Sequence, residues 1–171
     1  MTSAHTPSSD DWQRAISRFI TIIPHTRELG VEVIAAGADG VRLRLPWQHD
    51  LLGDPSRGLV HGGALTMLLD TACGAAVLPA LPSPEVCPTL DLRVDHYRPA
   101  VAGRALFAEA RAVAVSVSAS VVFTEGLLWQ RRERPVARCI ANFVRLGAQR
   151  VPPGFAEALF APDTCSENDH A

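Results

Sequence analysis

The chain reads as an α+β domain in which an antiparallel sheet wraps one buried helix. Three observations carry that reading. The stretch from Gly58 to Pro84, GLVHGGALTMLLDTACGAAVLPALPSP, is apolar on nearly all sides and long enough for a buried helix. From Thr89 the pattern switches to period two and keeps it through four runs. The order is helix, two strands, buried helix, four strands, without the strand–helix alternation that builds a parallel sheet. With 171 residues and no repeat or composition break, residues 1–171 are expected to form a single domain with its core over about 31–146.

Residues 1–10 are polar and expected to be disordered. Asp10 or Asp11 is placed to cap a helix over about 11–23, with Trp12, Ile16, Phe19, Ile20 and Ile23 at helical spacing and Pro24 as its stop. Val31–Ala35 and Val41–Leu45 flank Gly37-Ala38-Asp39-Gly40 as a hairpin, the second run alternating with Arg42 and Arg44. Trp47–Gly58 reads as a loop. The buried helix runs from about Gly63 to Leu78, with Pro79, Pro82 and Pro84 beyond it. In the next strand Leu90, Leu92, Val94 and His96 share one face; Thr89, Asp91, Arg93, Asp95 and Tyr97 share the other, a solvated or subunit-packing face. Strands over about Ala105–Val115, Val117–Trp129 and Pro135–Leu146 follow, the last two joined by the charged turn Gln130–Arg134. Small inner residues (Ala108, Ala110, Ala112, Ala119, Ala137, Ala141) suit a sheet curling around a thick body. The tail, 151–171, is Pro-rich and then polar, and is expected to be flexible.

A net charge of −2 gives no footprint for nucleic acid and no polybasic membrane anchor. The N-terminus, MTSAHTPSSDDW, lacks the basic and apolar regions of a signal peptide. Its Asp, His, paired glycines and prolines argue against the apolar stretch crossing a bilayer. Cys73, Cys87, Cys139 and Cys165 have neither metal-ligand nor disulfide-framework spacing, which suits reduced thiols in a cytoplasmic protein. No metal and no cofactor are expected.

Asp70 is the only Asp, Glu, Lys or Arg between Gly58 and Pro84, nine residues after His61. A carboxylate in such surroundings is solvated by a cavity, matched by a partner, held neutral, or bonded structurally to backbone N–H groups. Gly62-Gly63 before a helix can present backbone N–H donors to an oxyanion, helped by the helix dipole.

Two segments carry a family resemblance. Leu59-Val60-His61-Gly62-Gly63 through Leu69-Asp70-Thr71-Ala72, and Thr89-Leu90-Asp91-Leu92-Arg93 through Arg98-Pro99-Ala100, resemble the corresponding motifs of hotdog-fold acyl-CoA thioesterases of the phenylacetate-degradation (PaaI-like) type. The resemblance implies a hotdog fold and hydrolysis of an acyl-CoA thioester to free acid and CoA. It implies Asp70 as general base or nucleophile, the Gly62 N–H as donor to the thioester carbonyl, and Thr89 as a residue helping to place the attacking water. His61 is implied as shaping the loop or touching substrate, with Gly63 beside it. Many relatives carry an Asn or Gln about six residues before the His; here that position is Pro55, so Asp54, Ser56 or Arg57 substitutes or hydrolysis is altered. CoA phosphates would need cations, for which Arg57, Arg98, Arg104, Arg131, Arg132 and Arg134 are candidates.

Geometry adds a subunit. Asp70 lies eight residues beyond Gly62, about 12 Å along a helix, whereas base and donor must reach one reacting centre. Two antiparallel copies of the helix would bring Asp70 of one to Gly62 of the other, so a homodimer is expected, with pairing into a tetramer allowed. The competing readings are a hotdog hydratase or dehydratase and a non-catalytic acyl-CoA-binding protein.

Overall fold

Ser8, rather than Asp10 or Asp11, starts the first helix, because its hydroxyl accepts from the Asp11 N–H while the Asp11 carboxylate accepts from the Ser8 N–H, a reciprocal capping box. A computed structural model describes residues 7–116 and 120–162. Helix α1 (Ser9–Ile22) buries Trp12, Ala15, Ile16 and Ile20. Pro24 then opens a second short helix, α2 (Pro24–Glu28), where a missing N–H at the first turn costs nothing. β1 (Glu32–Gly37) and β2 (Gly40–Leu45) form the expected hairpin, closed at Gly37 and Gly40, with Val41, Leu43 and Leu45 facing inward.

The stretch read as loop holds a short 3₁₀ turn (His49–Leu51) and a small two-stranded sheet, β3 (Leu52–Asp54) with β4 (Leu59–Val60). Helix α3 (Gly62–Val77) follows and continues into a 3₁₀ turn at Leu78–Ala80. By length and composition alone Gly62–Ala80 could cross a membrane, yet here it is the core helix, with Leu65, Leu68, Leu69, Ala72 and Cys73 buried. Beyond it come β5 (Thr89–His96), β6 (Leu106–Ser116), β7 (Val121–Arg131) and β8 (Arg134–Val144). The expected strand start at Val117 and the inner position Ala119 lie outside the described residues.

The six-stranded sheet is antiparallel, in the order β1-β2-β6-β7-β8-β5, and α3 packs on β2, β6, β7 and β8. Ala108, Ala110, Ala137 and Ala141 are buried on the helix side, as the small-residue pattern requires. Gly126 lets the sheet close on the helix, since a Cβ there would stand 2.9 Å from the Cys139 Sγ and 3.2 Å from both the Cys73 Sγ and a Leu69 methyl. The outer face is charged: Arg42 and Arg132 both hold Glu109, and Arg111 and Arg138 both hold Glu125.

The tail departs from the flexible reading over its first part. Helix α4 (Phe155–Phe160) docks on α1, with Leu159 fully buried, the Phe160 ring edge-on to Trp12, and Arg18 donating to the Leu159 carbonyl at 2.9 Å and to that of Ala161. Apolar residues at a helical interval, hidden among prolines, supply the contact.

Candidate active site

Along α3 one stripe escapes burial: Gly63, Thr66, Met67, Asp70, Thr71 and Gly74, at the three- and four-residue spacing of a single helix face. Asp70 is the stripe's only charged group. The Thr89 hydroxyl donates to its Oδ1 at 2.9 Å, so the acid has a matched partner across α3 and β5.

Strict alternation puts Thr89 on the face of Asp91, away from the helix. The structure corrects this. Thr89 stands opposite Phe143 and Asp91 opposite Asn142, so three residues of β5 face two of β8 and Leu90 bulges out, 62% exposed. The bulge resets the alternation, and Thr89 joins Leu92 and Val94 on the helix side. The segment Asp91–Asp95 keeps its wet face, where Arg93 pairs with Asp95 at 3.0 Å.

The start of α3 is built around His61. Its backbone N–H donates to the Leu51 carbonyl at 2.8 Å, and its Nδ1 accepts from the Gly63 N–H at 3.0 Å, so a histidine serves as the N-cap. Two glycines make room: a Cβ on Gly63 would lie 2.8 Å from that Nδ1, and one on Gly53 would lie 2.6 Å from the His61 Cα. Gly62 differs. Its Cβ position faces open space, and its N–H has no partner among the described residues. An unpaired donor at the positive end of a helix is available to a carbonyl or an oxyanion.

Within one chain Asp70 and Gly62 remain two turns of α3 apart. The segment 54–57 closes on itself: the Ser56 hydroxyl donates to Asp54 Oδ1 at 2.6 Å and the Arg57 N–H at 3.2 Å. The Ser56 hydroxyl first, then the Arg57 N–H and guanidinium, holds the Asp54 carboxyl below the usual range. Asp54 and Ser56 are thus engaged with each other at the position where an amide was expected, whereas the Arg57 head is exposed, 4.0 Å from Asp54.

Of the candidate arginines, Arg132 is committed to the outer face, over the Trp129 ring and against Glu109. Arg98, Arg104, Arg131 and Arg134 have no ion-pair partner among the described residues, and the backbone gathers them. The Arg98 N–H donates to the Val136 carbonyl at 3.3 Å, and Arg131 pairs with Arg134 across the β7–β8 turn. Gln130 clamps this turn to the neighbouring loop, its amide bonding both backbone groups of Val101 and the Arg104 carbonyl. That loop borders the entry to α3, through Val60 N–H to Ala100 carbonyl and Ala102 N–H to Gly58 carbonyl. Sequence reading passed over Gln130, whose signal was a neutral amide at the start of a run of charges.

Two further pairings were also unforeseen. Glu85, buried, receives two bonds from Arg145, tying the loop after α3 to the end of β8. The Cys73 and Cys139 sulfurs lie 3.4 Å apart in the core, where each other's presence and burial push the Cys73 thiol up. A cavity of about 840 Å³ opens between the first turn of α1, the β1–β2 hairpin and the outer sheet face. It includes none of Asp70, Thr89 and Gly62, and its arginines are the paired ones.

The thioesterase superfamily model matches residues 57–137, the span that holds α3, Asp70 and β5. A Pseudomonas aeruginosa protein of known crystal structure is 38% identical, with a TM-score of 0.71 over 79% of this chain and 99% of its own. A candidate thioesterase from a Silicibacter species is 25% identical, with a TM-score of 0.65 over 75% of this chain and 87% of its own. The Escherichia coli PaaI protein of the phenylacetic acid degradation operon, at 20% identity and a TM-score of 0.67 over 80% and 94% of the two chains, shares the fold. A curated Halobacterium salinarum protein, named as a candidate esterase, is 45% identical over 75 residues, 42% of this chain; the match spans about half of that relative's length. With a sheet wrapped on α3 and a family match that takes in its acid, the chain belongs to the thioesterase superfamily and has the hotdog fold.

Proposed function

We propose that this protein hydrolyses acyl-CoA thioesters as a cytoplasmic homodimer of the PaaI-like type, with Asp70 of one subunit and the Gly62 N–H of the other acting on one thioester. The observation that carries the reading is the Asp70–Thr89 contact on the open stripe of α3. A carboxylate fixed by a hydroxyl can accept a proton from an attacking water, or attack the carbonyl itself, while Thr89 holds its orientation. The unpaired Gly62 N–H suits the oxyanion that develops on the carbonyl.

The dimer follows from the two-turn separation, and β5 offers it a surface, because it is an edge strand whose outer side pairs with no other strand among the described residues. Antiparallel pairing of two β5 strands would lay the two α3 helices side by side in opposite directions. Second dimers could then pair through the sheets into a tetramer. The acyl-CoA assignment draws on Arg98, Arg104, Arg131 and Arg134, an uncompensated cationic rim beside the Gly58–Gly62 segment that suits phosphates better than the apolar acyl group. Neither a metal nor a cofactor enters this scheme.

A non-catalytic acyl-CoA-binding role has one observation in its favour, the mutual engagement of Asp54 and Ser56 where relatives carry an amide. Thiol release from a panel of short, aryl and long acyl-CoAs decides between the two. Hydrolysis that Asp70→Asn abolishes supports the enzyme; acyl-CoA binding without thiol release from any member supports the binder.

A further inference from the structure

We propose that His61 is a positioning residue that works only as the neutral imidazole: Nδ1 holds the Gly62-Gly63 turn in the shape that presents the Gly62 N–H, and protonation of the ring releases it. The inference rests on the thioesterase reading above and makes the loop-shaping expected of His61 depend on the protonation state of its ring.

The cap is specific in its atoms. Nδ1 accepts from the Gly63 N–H at 3.0 Å, so in this arrangement the ring proton sits on Nε2. The ring lies directly over Gly63, where any Cβ would strike Nδ1 at 2.8 Å and Cε1 at 3.0 Å. Gly53 backs the residue on its other side, and the His61–Leu51 backbone bond fixes it to the 3₁₀ turn. The imidazole is thus set against the one N–H adjacent to the proposed oxyanion donor, while Gly53 and Leu51 fix the His61 backbone behind it.

Ordinary N-caps are Ser, Thr, Asn or Asp, whose acceptor oxygens persist across neutral pH. A histidine cap does not. Protonation puts a hydrogen on Nδ1, which then has no lone pair for Gly63, and sets a positive charge at the positive end of α3. Both effects open the turn at the same step. The titratable and charged groups on the segments packed around His61 are His49, Asp50, Asp54 and Arg57, with Arg98 and Arg104 on the loop beside Val60. Asp54 is engaged by Ser56 and Arg57, and none of these groups is bonded to the imidazole.

The consequence is an acid limb of activity that belongs to His61 rather than to Asp70. Along this limb kcat/KM is expected to rise with pH as the neutral ring forms, because imidazole is the side chain that changes charge near neutrality. Asn caps helices well and does not titrate there. His61→Asn is therefore expected to flatten the limb, changing the wild-type to variant ratio of kcat/KM by roughly tenfold between pH 5.5 and 7.5. His61→Ala, which has no cap at any pH, is expected to lower kcat throughout with little effect on KM and no limb. An acid limb unchanged in His61→Asn assigns the limb to another group and overturns the proposal.

A second measurement is independent of turnover. Long-range ¹H–¹⁵N correlation of the wild-type imidazole at pH 8 is expected to give a protonated Nε2 and a bare Nδ1, with the Gly63 amide proton shifting as the ring titrates. A protonated Nδ1 at pH 8, or a Gly63 amide that ignores the titration, overturns the cap. Failure of wild type to release thiol from any acyl-CoA would defeat the thioesterase reading instead, and the imidazole spectrum would still decide the cap.

Discussion

The first strand of the sheet is packed under a helix, and the last is left bare. Against β1 the chain sets α1, and onto α1 it docks α4, with Trp12, Ile16 and Leu159 buried and the Trp12 and Phe160 rings 5.1 Å apart. Among the described residues nothing covers the outer edge of β5, whose Leu90 is 62% exposed, with Tyr97 just beyond it at 53%. An uncovered edge is a hazard that folded proteins ordinarily blunt. Here the unsealed edge is the one beside Asp70, so the chain places its spare apolar segments far from the site. The closed edge concerns stability; the open one concerns assembly and chemistry.

The sharpest way to separate the two edges is a pair of substitutions. Asp70→Asn, on the open side, should lower kcat at least about a hundredfold if the carboxylate is base or nucleophile, with the thermal midpoint nearly unchanged because the residue is only half-buried. Thiol release and a melting curve on the same sample check both halves. Trp12→Ala, on the closed side, should do the reverse, removing about 3 kcal/mol or more of stability by denaturant titration while thiol release per folded molecule persists. A Trp12→Ala protein that is stable but inactive would erase the division.

A smaller effect is expected along β5 itself. In an antiparallel pair about a two-fold axis, residues on one face oppose each other, and three registers are open. Centred on Arg93, the pairing sets Arg93 against its own copy and Asp91 against Asp95, which is destabilising. Centred on Leu92, Asp91 faces Arg93 of the second copy; centred on Val94, Arg93 faces Asp95. Arg93→Glu should therefore weaken the dimer roughly tenfold by sedimentation. Rescue by Asp91→Arg marks the first of these two registers, rescue by Asp95→Arg the second. A dimer indifferent to Arg93→Glu would mean that β5 is not the contact.

Much of this arrangement was legible in the residues. The hairpin, α3 and the period-two strands announce themselves because burial on one side repeats at the spacing of the element. Asp70 stood out because an apolar helix tolerates a charge only for a reason. What was not legible depends on contacts between distant residues. The bulge at Leu90 is set by pairing with β8, and it alone turns Thr89 toward Asp70. Helix α4 is short and follows two prolines, so its order comes from docking on α1 rather than from propensity. His61 as a cap was hidden because the spacing of His-Gly-Gly gives no sign of which ring nitrogen faces the turn.

The smallest expected effect lies on the outer face of the closed half, where Glu109 bridges Arg42 and Arg132 at 2.6 and 3.1 Å. Burial works against its ionisation, but the two guanidiniums outweigh it and hold the carboxyl below the usual carboxylate range. A depressed acid adds stability above its unfolded-state value and loses it as pH falls through the folded one. Removing Glu109 should thus cost stability at pH 7 and nothing at a pH where the acid is already protonated. The side chain is 40% exposed, so screening keeps the effect below about 1 kcal/mol, or a few degrees at most in a domain of this size. Glu109→Gln should melt slightly below wild type at pH 7 and converge with it in acid. Equal midpoints throughout would make the bridge a solvated contact without energetic weight. Loss of thiol release in the same variant would be the more instructive result, because it would couple the outer face of the closed half to the open edge that carries Thr89.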